Sequence, residues 1–152
     1  MVSNELGKMV LFTWNDLPNH NQHIILDEFV IMPNHFHGII FINAGAGSNI
    51  AGAGLDIVGV DLNVAVGAGS EPAPTMNTMK KRHGLPEIVR QFKTFSARRI
   101  NKNRGTSGAP VWQRNYWEQI IRNEKSLNNF RQYIIQNPSN WQTDAENPVP
   151  SD

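Results

Sequence analysis

The stretch HIILDEFVIMPNHFHGIIFI (residues 23–42) decides how the chain folds. Residues 23–30 and 35–42 are rich in β-branched and aromatic side chains, and Met32-Pro33-Asn34 between them supplies turn chemistry. That pattern predicts an antiparallel hairpin. The second run, HFHGIIFI, should be an ordinary core strand, yet it carries two histidines around one phenylalanine. Side chains two positions apart on a strand share a face. His35 and His37 therefore point together, while Phe36 points the other way into a core. Two imidazoles side by side make a ready bidentate metal site, although the same spacing also arises with no ligand role.

Outward from the hairpin, 152 residues suffice for one domain with a real core and are too few for two comfortable ones. There is no cysteine, which excludes disulfides and thiolate metal sites. No run of apolar residues is long enough to cross a bilayer, and MVSNELGKMV lacks the basic-then-apolar pattern of a secretory signal. A cytoplasmic protein is the expectation. The net charge of +1 hides a segregation. Lys80, Lys81, Arg82, Arg90, Lys93, Arg98, Arg99, Lys102 and Arg104 face only Glu87 between residues 80 and 104, and the remainder of the chain is acidic. A concentrated basic patch on a near-neutral protein points to a polyanion met at one face.

Residues 4–14 (NELGKMVLFTW) have helical spacing, with Ser3 or Asn4 as cap, and LPNHNQ then reads as a loop. Residues 43–79 are rich in Gly and Ala and hold no Lys or Arg, the composition of a wholly or partly disordered insertion. Its inner stretch LDIVGVDLNVAV alternates well enough for an extra strand or hairpin. Residues 85–103 form the best helix: Leu85, Ile88, Val89, Phe92, Phe95 and Ile100 make the buried stripe, and Pro86 suits its first turn. Arg90, Lys93, Arg98 and Lys102 fall largely off that stripe, as a nucleic-acid contact or simply as a solvated face. VWQRNYWEQIIR reads as a strand, and a last helix runs from about Asn123 to Asn137, where Pro138 should end it. The tail from residue 143 should fray.

Tyr133 and Asn137 lie four apart in that last helix and so share a face. The pair offers further ligands for a metal on the histidines, or Tyr133 is a core aromatic beside the Leu127–Phe130–Ile134 stripe. No serine triad or carboxylate pair accompanies the histidines, so hydrolase and glycosidase chemistry lacks support. His20, His23 and His83 read as loop or surface residues.

MPNHFHGII, VWQRNYWEQIIRNE and YIIQNPSNW, in that order, resemble signature blocks of the REP-associated tyrosine transposases, single-tyrosine HUH enzymes that act on single-stranded DNA. The resemblance covers roughly residues 4–42 and 80–142. It implies a single α+β domain over 1–142, a ferredoxin-like antiparallel sheet with helices on one face, interrupted by the insertion at 43–79. It also implies that His35, His37 and Asn137 bind Mn²⁺ or Mg²⁺ and that Tyr133 is the nucleophile, leaving Tyr116 structural. Arg90, Lys93, Arg98, Arg99, Lys102 and Arg104 would hold single-stranded or hairpin DNA. Relatives of this kind include monomers and homodimers.

The chain departs from that family at its start, where a strand of the YFVTICT type is expected before the first helix. In a ferredoxin-like sheet that strand is central, and its absence predicts a gap. A start placed too late and a decayed remnant are the preferred explanations, ahead of LDIVGVDLNVAV filling the position. The leading reading is a strand-nicking and strand-transfer enzyme. The alternatives are a catalytically inactive, truncated remnant that only binds DNA, and a metal-binding protein with no nucleic-acid role.

Overall fold

The computed structural model describes residues 4–43, 55–63, 84–143 and 147. Strands β1 (Ile24–Ile31) and β2 (His35–Asn43) form the predicted antiparallel hairpin. Its register runs Leu26↔Ile40 and then Phe29↔Gly38, so Asp27 and Glu28 on β1 oppose the single residue Ile39 on β2 in a bulge. The bulge shifts the alternation of β1: Ile24 and Leu26 before it, and Phe29 and Ile31 after it, meet the same core.

Strand β3 (Leu55–Asn63) pairs antiparallel with β2 on one side and with β4 (Trp117–Ile121) on the other, giving the order β1-β2-β3-β4. The predicted central gap is therefore closed, and by the inner stretch of the Gly/Ala-rich insertion, the explanation ranked last. An empty position would have left the N–H and C=O groups of two facing strand edges without partners. The alternation of LDIVGVDLN supplies what the place requires: Val58 and Val60 enter one core and Ile57 the other. Gly59 lies close under Phe130, where a Cβ would sit 3.1 Å from the ring.

Helix α1 (Glu5–His20) starts where Asn4 accepts the Gly7 N–H at 2.9 Å. It continues through the predicted loop because Leu17 is buried and Asn21 closes it, bonding the Leu17 carbonyl and the Gln91 side chain of α2. Helix α2 (Leu85–Arg104) matches its predicted span and ends at Gly105, whose φ of 68° is left-handed. Both helices pack on one face of the sheet, where Trp14, Phe36 and Phe92 form the aromatic centre. Gly38 permits this packing, for a Cβ there would lie 2.7 Å from Trp14.

Helix α3 (Glu124–Asn140) lies on the opposite face, so the expectation of helices on one face holds for α1 and α2 only. The reason is visible in β2, whose odd and even positions are both apolar. Ile39 and Phe41 need a cover as much as Phe36 and Ile40 do, and Leu127, Phe130 and Ile134 provide it. Helix α3 also continues past Pro138 for one further turn, and Trp141 in the short 3-10 helix that follows (Trp141–Thr143) meets the His35 ring. Strand β4 is shorter than predicted because the Lys93 ammonium takes the carbonyls of Gln113, Arg114 and Asn115. Residues 44–54 and 64–83, hence Lys80, Lys81, Arg82 and His83, lie outside the described residues, as does most of the tail.

Candidate functional site

Residues 35–37 alternate as a strand dictates. Phe36 is fully buried in the α1–α2 core, while the His35 and His37 rings lie together on the α3 face with centroids 4.6 Å apart. Over them passes the C-terminal half of α3. The Tyr133 ring stands 5.3 Å from His37, and Trp141 stands 5.8 Å from His35. Asn137 is 3 % exposed, whereas Tyr133 remains 53 % exposed. An exposed tyrosine thus stands beside two buried imidazoles, and a buried amide lies four residues further along its helix.

Asn34, directly before the first histidine, orients its ring. The His35 Nδ1 lies 2.7 Å from Asn34 Oδ1, an atom that can only accept, so Nδ1 carries the proton and Nε2 presents its lone pair. The Nε2 atoms of His35 and His37 and the Oδ1 of Asn137 are buried and make no hydrogen bond among the described residues, although both imidazoles have other contacts. Buried polar atoms of this kind are costly unless something satisfies them. Imidazole nitrogens and an amide oxygen are donor types that suit a divalent ion. Among the described residues no group of three or more His, Cys, Asp or Glu side chains could hold a metal, so such an ion would depend on the amide.

Tyr116 belongs elsewhere. It packs against the α1–α2 core, with the Lys93 ammonium 5.8 Å from its ring centre. Burial first, then a hydrogen bond with Glu118, pushes its phenol up to about 12.

The basic residues of α2 divide into two groups. Arg90 is tied to Glu87, Lys93 to the three carbonyls before β4, and Arg99 to Thr13 and Asp16 of α1 with its guanidinium 4.8 Å from the Phe12 ring centre. Arg98, Lys102 and Arg104 are exposed and have no ion-pair partner among the described residues. His20 ends α1 against Asp16 and Phe95. Sequence reasoning missed Asn34, Trp141 and the pair formed by Arg131 and Asp27, which ties α3 to the bulge of β1 at 2.8 Å. Trp141 was signalled, since it follows Asn137 by the same four residues that separate Asn137 from Tyr133. The Arg131–Asp27 contact joins residues 104 apart in sequence and had no local signal.

An uncharacterized protein of Haemophilus influenzae is 35 % identical over 144 residues, covering 95 % of this chain and 71 % of the relative. The chain belongs to the family of that protein. It is also 45 % identical over 55 residues to a Haemophilus influenzae protein described as a "Putative REP-associated tyrosine transposase", covering 36 % of this chain and 27 % of that one. No protein-family model matches the chain, and no solved structure does. Among the described residues no helix is long and apolar enough to cross a membrane.

Proposed function

We propose that the chain is a transposase-like enzyme that nicks and rejoins single-stranded or hairpin DNA through a 5′-phosphotyrosine intermediate. The observation that carries this reading is the exposed Tyr133 beside the buried His35–His37 pair, with the buried Asn137 four residues further along α3. The partial similarity to a protein described as a tyrosine transposase supports it.

Tyr133 supplies the nucleophile. Its oxygen forms a bond to the phosphorus as the bond from phosphorus to the 3′-oxygen breaks; the phenol gives up its proton and the leaving 3′-oxygen gains one. The phosphodiester energy is kept in the tyrosyl ester, so rejoining needs no nucleotide cofactor. His35, His37 and Asn137 would hold Mn²⁺ or Mg²⁺, which when bound supplies Lewis-acid stabilisation of charge developing on a non-bridging phosphate oxygen. Nitrogen donors without a carboxylate suit Mn²⁺ at least as well as Mg²⁺. Asn34 keeps the His35 lone pair available, and Trp141 walls one side of the group against water. On α2, Arg98, Lys102 and Arg104 are exposed cations that phosphates could meet.

The test is covalent trapping. Incubated with a labelled single-stranded hairpin and Mn²⁺, the protein yields an adduct that survives denaturing electrophoresis. Tyr133→Phe abolishes it and Tyr116→Phe keeps it; the reverse pattern would move the nucleophile to Tyr116. Retained DNA binding with no adduct in any metal would instead establish the binding-only alternative.

A further inference from the structure

A groove of about 610 Å³ runs between α1 and α2, on the side of the sheet away from Tyr133, lined by Glu5, Lys8, Met9, Phe12, Arg99 and Lys102 among others. Its size falls within the range of small-molecule sites. Phe12 contributes an aromatic face to it although 58 % of that residue is exposed, which is unusual for a phenylalanine with an apolar core so near. The Arg99 guanidinium is held against the Phe12 ring at 4.8 Å, fixed from behind by Thr13 and Asp16. An aromatic face and a guanidinium plane are the surfaces on which unpaired bases stack.

The charges select the rest of the ligand. Glu5 is neutralised by Lys8 at 2.6 Å, and Arg99 is shared with Asp16. Lys102 is left as a cation without a partner among the described residues, one helical turn from Arg98 on the same face of α2. We infer that this groove binds an unpaired nucleotide of single-stranded nucleic acid, its base stacked on Phe12 beside Arg99 and its phosphate on Lys102. The inference rests on the nucleic-acid reading above and adds to it a binding site with α1 as one wall, on the face that does not carry the histidines.

Binding of a fluorescein-labelled mixed-sequence single strand, and of its duplex, to the full chain tests this by anisotropy. Phe12→Ala should weaken single-strand binding about 10-fold or more, the loss of one stacked base, with little change for the duplex. Phe12→Tyr should retain it. Lys102→Gln should lower the slope of log affinity against log salt by about 0.7. Since Phe12 and Lys102 are exposed, both variants should keep the parent circular dichroism spectrum. If the wild type binds the strand while Phe12→Ala and Lys102→Gln bind equally well, the groove assignment is wrong and the nucleic-acid reading stands. Equal losses for strand and duplex would also overturn base stacking. If the wild type binds no oligonucleotide at low salt, both fall. Sedimentation with phosphatidylglycerol vesicles that Lys102→Gln abolishes, with strand binding intact, would assign the groove to a lipid surface instead.

Discussion

At the scale of single residues, the site is a set of acceptor atoms placed where water cannot easily reach them. His35 and His37 were legible because period-two alternation fixes which way they point. Asn137 was legible only as a helical neighbour of Tyr133; that it is buried, with an Oδ1 that makes no hydrogen bond among the described residues, is a fact of packing. A ligand that binds the folded state alone raises its stability by RT ln(1 + [L]/Kd), about 2.7 kcal/mol at 100 times Kd. Mn²⁺ should therefore raise the melting temperature of the wild type by several degrees, and Asn137→Ala or His37→Ala should remove that shift. Tyr116 gives a second, independent expectation. Its folded-state pKa is raised, so the stability it contributes is complete below about pH 10 and is lost as pH rises towards about 12. Urea midpoints should fall across that window, and less steeply in Tyr116→Phe.

At the scale of elements, the decisive piece is β3. Composition marked residues 43–79 as an insertion, and composition cannot tell an unpaired segment from one with a waiting place in a sheet. Local alternation in LDIVGVDLN allowed a strand; the open edges of β2 and β4 made it one. Gly59→Val tests this dependence, because its side chain must enter the space of Phe130 and so separate β3 from α3. Overpacking of this kind costs about 1–3 kcal/mol, read as a lower urea midpoint. No change would mean that the Phe130 ring gives way to the added side chain. The helix ends show the same division. The start of α2 was readable from Leu85-Pro86, whereas α1 runs on past its predicted end because Leu17 and Asn21 have partners far away in sequence. Pro138 likewise loses to the packing of Trp141.

At the scale of the whole molecule, one sheet separates two cores with different tasks. The larger core, around Trp14, Phe36, Ile88 and Phe92, holds α1 and α2; the smaller, around Ile39, Ile121, Leu127 and Ile134, holds α3 against the histidines. Ile88→Ala and Ile134→Ala should each cost about 2–5 kcal/mol. Only the second should also weaken the Mn²⁺-induced melting shift in the fraction that remains folded, because only α3 carries Asn137. Equal loss of the shift in both would mean that the two cores cannot loosen separately. The hairpin, the shared direction of the two histidines, the span of α2 and the helical pairing of Tyr133 with Asn137 are all written in local sequence. Each of these follows from a period of 2 or 3.6 and from nearby turn and cap residues. Only the tertiary structure decided that the insertion supplies a central strand, that α3 covers the second face, and that Lys93 and Arg99 are spent on internal contacts while Arg98, Lys102 and Arg104 are not. Those outcomes depend on which unsatisfied backbone edge, apolar face or carbonyl lies within reach, and reach is a property of the folded chain.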